Sequence, residues 1–277
     1  MSITFWFKNT TRNEEQETRN EEQETSDYSM IDKYFKELDN KNIIEQLSYL
    51  ATEFKGKIVF STSFGQEDQV ISDLVFKHNI NINVFTLDTG RMFEETYKVL
   101  ELTRKKYNKP IQVYFPEYTE VEKLVTEKGI YSFYESIENR KECCQIRKVV
   151  PLKKALSGME CWISGLRAEQ SDARLDLPLF SWDENFRIFK FNPLKDWTLD
   201  QVIDYLKKND VPYNVLHDKG FISIGCSPCT RAIKPGENIR QGRWWWEDNS
   251  KKECGLHESK QLQNNKETDL SHFLKKI

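Results

Sequence analysis

Apolar positions along the chain follow two alternating rhythms. Residues 28–54 repeat at helical spacing, with Ile31, Tyr34, Phe35, Leu38, Ile43, Ile44, Leu47 and Leu50 on recurring faces. The run KIVFSTS (57–63) is too short for a helix and reads as a buried strand entering a glycine-containing turn, with a helix over 67–77 behind it. The alternation continues with a strand at 81–87, a helix at 93–107, a strand at 111–115 and a helical stretch at 137–156. Strands at 161–166 and 187–194 and a helix at 198–208 complete it. This order predicts an α/β fold built on a doubly wound, mainly parallel sheet. In such sheets a ligand sits beyond the carboxyl ends of the strands. Three segments should therefore surround one crevice: STSFGQED (61–68), LDTGR (87–91) and GLRAEQSDAR (165–174).

Both ends break the rhythm. Residues 11–24 are a tandem TRNEEQE repeat without an apolar face. Burial cannot offset the entropy of ordering such a segment, so 1–26 are expected to be a disordered acidic extension. Beyond about 210 periodicity fades while potentially reactive residues accumulate. The expected organisation is the extension 1–26, an α/β domain over 27–220, and a loop-rich C-terminal arm over 221–277 folded across the mouth of the sheet.

Charge and composition narrow the classes. A net charge of −3 gives no global positive field for nucleic acid. No apolar run reaches the roughly 18 residues of a membrane span, and the start MSITFWFKNT lacks the features of a secretory signal. A soluble, cytoplasmic protein is expected, with room for a homo-oligomer of unspecified size. The chain has 6 cysteines and is too large to need disulfide stapling, so metal ligation or redox catalysis is the expected use of a cysteine cluster.

Three groups carry candidate chemistry. In STSFGQED, Ser61, Thr62 and Ser63 supply hydroxyls, Gly65 permits close backbone approach, and the helix start supplies oriented N–H groups for an anion. An ordinary capped turn would look the same. Cys143-Cys144 on a helix and the later Cys226-Ser-Pro-Cys229 offer four thiolates, which suit zinc or a 4Fe–4S cluster. Adjacent helical cysteines diverge by about 100°, which a cluster accepts more readily than a single ion. In KKECGLH (251–257), cations flank Cys254 and favour its thiolate. Cys161, within an apolar strand, reads as a small buried hydrophobe.

These motifs together resemble the sulfonucleotide reductases of the adenine nucleotide α-hydrolase-like (PP-loop) fold. The resemblance covers roughly 45–257. Relatives that use ATP carry an SGGxDS-like loop, whereas this chain has Phe64-Gly65-Gln66-Glu67-Asp68, which argues for a nucleotide that carries sulfate. The CC…CxxC set matches the members acting on adenosine 5′-phosphosulfate and implies a 4Fe–4S cluster on Cys143, Cys144, Cys226 and Cys229. By the same resemblance, Ser61, Ser63, Gly65, Leu87, Asp88, Thr89, Gly90, Arg167 and Arg174 line the nucleotide pocket. Lys148 links cluster and substrate, and Cys254 is the nucleophile, with Arg240, Arg243 and His257 on the phosphosulfate. The implied reaction yields AMP and a cysteine S-sulfonate, from which a separate thioredoxin or glutaredoxin-like dithiol releases sulfite, in assimilatory sulfate reduction and cysteine biosynthesis. The rivals are a reductase of the 3′-phosphorylated substrate, a cluster-bearing PP-loop tRNA sulfurtransferase, and a non-catalytic redox sensor.

Overall fold

The computed structural model describes residues 30–171 and 174–247. The expected extension over 1–26 lies outside them. Six strands form one sheet: β1 (Ile58–Ser61), β2 (Asn83–Leu87), β3 (Gln112–Tyr114), β4 (Cys161–Ile163), β5 (Phe180–Asp183) and β6 (Ile188–Phe191), in the order β3-β2-β1-β4-β6-β5. All neighbours are parallel except β5, which runs antiparallel to β6 at the edge. The helices are α1 (30–39), α2 (Ile43–Glu53), α3 (Gln66–Lys77), α4 (Glu94–Tyr107), α5 (Tyr118–Lys128), α6 (Ile137–Cys144), α7 (Val150–Leu156) and α8 (Leu199–Lys208).

The strands alternate in the side they feed, as a period of two requires. Ile58 and Phe60 of β1, Cys161 and Ile163 of β4, and Phe189 and Phe191 of β6 enter one core with α2, α3 and α8. Val59, Phe85, Trp162 and Ile188 point the other way, onto Leu152, Ala155 and Leu156 of α7. With both faces covered, the central strands are apolar at nearly every position, which is why they read as continuous runs. Strand order reverses between β1 and β4, so the crevice opens beyond their carboxyl ends. The expected doubly wound, mainly parallel sheet is therefore the observed fold.

Several boundaries moved. The helical pattern over 28–54 is two helices, because Asn42 caps α2: its side chain accepts from the Glu45 N–H, and the Glu45 carboxylate accepts from the Asn42 N–H. Strands expected at 161–166 and 187–194 are shorter, their last residues being turned into the crevice loops and the following turn. Helix α5 has only a short apolar stripe to announce it, Val121, Leu124 and Val125, of which Leu124 alone is fully buried. Strand β5 is a short edge whose first residue alone is fully buried. Among the described residues no helix is long and apolar enough to cross a membrane.

Helix α3 is buried from Asp68 to Phe76 and carries polar groups into the interior. Asp73 there accepts hydrogen bonds from Tyr107 Oη of α4 at 2.6 Å and Tyr205 Oη of α8 at 2.7 Å. Gln69 Nε2 donates to Thr103 Oγ1 at 2.8 Å and to the Pro212 carbonyl at 2.7 Å. Removing a shared buried acceptor leaves two phenols unsatisfied. Asp73→Ala is expected to lower unfolding free energy by about 3 kcal/mol, read by urea denaturation, with Tyr205→Phe costing clearly less.

Candidate active site

The loop after β1 is shaped by a carboxylate. Asp68 Oδ2 accepts from the Ser63 N–H at 2.6 Å and Ser63 Oγ at 2.7 Å, while Thr62 Oγ1 accepts from the Phe64 N–H at 3.0 Å. The left-handed turn falls on Phe64 (φ 60°), a bulky residue fixed there by burial. Gly65 has φ −67° and caps α3, so its role is the room a missing side chain leaves and not an unusual backbone. Across the switch point, a Cβ on Gly165 would lie 2.2 Å from Asp68 Oδ1. Gly165 thus lets the β4 loop close onto the β1 loop. Burial, opposed by the Ser63 hydrogen bonds and aided by Glu67, pushes the Asp68 carboxyl from 3.8 up to about 6.

Beyond these loops lies a cavity of about 550 Å³, within the range of small-ligand sites. Of the expected residues, Ser61, Ser63, Gly65, Leu87, Thr89, Lys148, Arg167, Arg174, Arg240 and Arg243 all line it. Asp88 and Gly90 do not. Instead Asp88 Oδ1 accepts from the Gly90 N–H at 2.8 Å and from Tyr97 Oη at 3.0 Å, while Gly90 supplies the turn at φ 71°. They shape the loop that presents Leu87 and Thr89. Arg167 is 4% exposed and its guanidinium is committed to protein, with Nε on Glu67 at 2.8 Å and Nη1 on Glu169 at 2.8 Å and the Trp197 carbonyl at 3.0 Å. Arg174 Nη1 donates to Gln170 Oε1 at 2.5 Å.

Three of the four expected cysteines, Cys143, Cys226 and Cys229, pack into one cluster near this cavity, with Cys144 close enough to act on Cys229. Cys143 and Cys144 end α6, where the helix widens into a π-helical turn over Gln145–Val149 that carries Arg147 and Lys148. Cys226 precedes and Cys229 ends the 3-10 turn Ser227–Cys229, closed by the Cys229 N–H on the Cys226 carbonyl at 3.0 Å. Cys143, Cys226 and Cys229 pack with Phe133, Trp244 and Trp246, and Cys144 acts electrostatically on Cys229. The turn is moored by the Ser227 N–H on the Arg91 carbonyl at 2.8 Å and Tyr134 Oη on the Pro228 carbonyl at 2.6 Å. Trp244 is buried under the Arg140 and Arg243 guanidiniums at 4.6 and 4.8 Å from its ring centre, whereas Trp245 is half exposed.

Cations surround these thiols. Burial works against the Cys226 thiolate, but Lys148, the Thr89 hydroxyl at 3.2 Å, Arg243 and Arg147 together hold its pKa below the ordinary thiol value. Burial, reinforced by Cys226, pushes Cys229 up to about 12, and burial also raises Cys143. Among the described residues no three His, Cys, Asp or Glu side chains converge on one metal-ion position. A zinc ion would hold its sulfurs within roughly 3.8 Å of each other, given Zn–S bonds of about 2.3 Å. A cluster of four irons spreads its ligands wider. Arg147 Nε, Arg243 Nε and Trp246 Nε1 are buried with no partner among the described residues, and all three belong to side chains at the thiols. Unspent donors of this kind suit an anionic group bearing acceptor sulfur.

Arg147 is not among the expected site residues, and Glu67 and Asp68 are expected only as members of the STSFGQED loop. Arg147 is 6% exposed, donates Nη1 to the Thr89 carbonyl at 2.7 Å and hydrogen-bonds Cys143. Its spacing of four from Cys143 on a helix was the available signal. Gly225 is not among the expected residues either: a Cβ there would lie 2.3 Å from Arg243 Nη2. Cys254 and His257 lie outside the described residues.

Fold and site define a doubly wound α/β protein with a nucleotide-sized crevice and a buried thiol group at one end. The chain belongs to the phosphoadenosine phosphosulfate reductase domain family, whose model matches residues 57–232, and its fold is the PP-loop fold. It is 45% identical over 214 residues to the adenosine 5′-phosphosulfate reductase of Allochromatium vinosum, covering 77% of this chain and 83% of that protein. It is 47% identical over 199 residues to the protein of that name from Neisseria meningitidis, covering 72% and 82% respectively. The crystal structure of phosphoadenylyl-sulfate reductase from Candida auris superposes with a TM-score of 0.62 at 29% identity, over 73% of this chain and 96% of that one.

Two outcomes follow from the site. Gly225→Ala should push the Arg243 guanidinium aside and weaken nucleotide binding at least tenfold by calorimetry, with the circular dichroism of the fold retained. A raised folded pKa means the native state holds the Asp68 proton more tightly than the unfolded chain. The charged form therefore costs stability above about pH 6, and the cost is relieved as pH falls toward about 4. Relative to Asp68→Asn, the wild type should gain about 2 kcal/mol across that window, read by denaturation at each pH.

Proposed function

We propose that this chain reduces adenosine 5′-phosphosulfate to sulfite and AMP, as an oxidoreductase of assimilatory sulfate reduction. The observation that carries the reading is that Lys148 and Arg243 belong to both halves of the site: each lines the cavity and each acts on Cys226 and Cys229. An anion in the crevice is thereby held beside the thiol group. The adenine edge meets main chain near Leu87, and Lys148, Arg240 and Arg243 take the phosphosulfate by charge-assisted hydrogen bonds, joined by His257.

Cys254 is the nucleophile in this reading. Its thiolate attacks the sulfate sulfur, the bond from sulfur to the phosphate oxygen breaks, and AMP leaves with the electron pair. The resulting Cys254 S-sulfonate is attacked at Cys254 Sγ by a thiolate of thioredoxin or a glutaredoxin-like protein. Sulfite departs, and the partner's second thiol resolves the mixed disulfide, so the partner ends oxidised. Residues 221–277 serve as an arm that brings Cys254 to the crevice. A reduced, cytoplasmic setting fits a site whose chemistry needs free thiols.

Cys143, Cys144, Cys226 and Cys229 would hold a 4Fe–4S cluster, and the unpartnered donors on Arg147, Arg243 and Trp246 support that assignment over zinc. When bound, the cluster supplies local electrostatics beside Lys148. A second reading, reduction of the 3′-phosphorylated substrate, is favoured by the likeness to the Candida auris protein.

Anaerobically purified protein with thioredoxin should release sulfite from adenosine 5′-phosphosulfate far faster than from its 3′-phosphorylated analogue. Cys254→Ser should abolish release while leaving iron content and visible absorption intact, and Cys226→Ser should lose both of those. Sulfite from neither substrate in iron-replete protein would refute the reading.

A further inference from the structure

Strand β6 carries a charge into a layer that is otherwise apolar. Ile188 and Lys190, two residues apart, share the face turned toward Trp162, and Lys190 is only 8% exposed. Its Nζ lies 4.6 Å from the centre of the Trp162 ring and 3.6 Å from Asp183 Oδ2. Asp183 is itself fixed, its Oδ1 accepting from the Asn185 and Phe186 N–H groups at 3.1 and 3.2 Å in the β5–β6 turn. Burial works against the Lys190 charge, Asp183 supports it, and Arg174 opposes it. A buried ion pair is a poor source of stability, and apolar residues of the same volume often serve the fold as well. A role beyond the fold is therefore worth seeking for this lysine.

Trp162 leads from that charge to the cavity. It is 1% exposed, lines the cavity, and its Nε1 donates to Ser61 Oγ at 2.8 Å. Phe186 meets the indole edge-on, with ring centres 5.5 Å apart. Ser61, the last residue of β1, lines the same cavity. An indole N–H can only donate, so the Ser61 oxygen must accept on that side and its own proton points elsewhere. No described residue accepts that proton, which leaves it to a group in the cavity. Lys190 does not line the cavity and acts on it only through the indole, by attraction between its cation and the ring face.

We propose that Lys190 and Trp162 are positioning residues of the nucleotide pocket: the lysine fixes the indole, and the indole fixes the Ser61 hydroxyl as a donor to an acceptor of the bound nucleotide. The inference rests on the nucleotide reading of the site above.

Calorimetry of AMP binding to the anaerobic holoenzyme tests this chain of contacts. Ser61→Ala should weaken binding by about fivefold. Trp162→Phe, which keeps a ring but removes the N–H, should do the same, and the double variant should be no weaker than either single one. Lys190→Met should weaken binding by about threefold and have no further effect in the Trp162→Phe background. Lys190→Arg, which keeps a cation over the ring, should retain most of the affinity. Should Lys190→Met fail to fold with Asp183 left unpaired, Asp183→Asn gives the reading, with a smaller loss that also vanishes in Trp162→Phe. Additive losses in the double variants, or unchanged AMP affinity in both Lys190→Met and Asp183→Asn, would overturn this proposal and leave the nucleotide site standing. Failure of AMP to bind the wild type would overturn both.

Discussion

The contact on which the site depends is the one between Asp68 and Gly165. The first strand and the fourth are neighbours whose chains continue to opposite sides of the sheet, one to β2 and the other to β5 at the far edge, and nothing in the sheet itself joins the loops beyond their ends. A buried carboxylate does so. It takes the Ser63 N–H and hydroxyl from its own loop and rests against a glycine of the other. Glu67, one residue earlier, makes the same crossing through Arg167. Both loops are thus fixed in relative position before any ligand arrives, at the cost of an unfavourably buried charge and a bulky residue in the left-handed region. Strain of that kind is tolerated where the surroundings over-determine it.

The second half of the site is attached to the first by cations. The α6 helix delivers Cys143, and the π-helical turn that follows brings Arg147 and Lys148 round to the same side. Arg147 then ties the helix to the Thr89 carbonyl, whose hydroxyl faces Cys226. Arg243 reaches the thiols from the C-terminal segment through the gap Gly225 leaves. A set of thiols surrounded by Lys148 and by two guanidiniums whose Nε donors have no partner among the described residues is expensive to bury empty of negative charge. The same arrangement becomes favourable once thiolates and an anionic ligand are present.

How far these features were legible depended on what each residue type must do. The sheet was readable because strands buried on both faces admit little but apolar side chains, and the crevice followed from topology alone. The cysteines were readable because their chemistry is rare in a chain of this kind. Helix α5 and strand β5 were not, since a surface helix with one buried leucine and a short edge strand place few demands on sequence. Asp88 and Gly90 show another limit: motif residues can build a loop without lining the cavity that the loop borders. Glu67 and Asp68 show the converse. As acidic residues at the start of a helix they look like favourable charges for the helix dipole, and only the fold reveals that one locks two loops and the other stands at the cavity wall.

That distinction bears on how the crevice wall is held. A carboxylate on a flexible side chain can turn aside, whereas Glu67, held at 2.8 Å by a buried guanidinium, cannot do so without breaking a buried ion pair. Loop closure and carboxylate placement are then consequences of the same few crossings between the β1 and β4 loops.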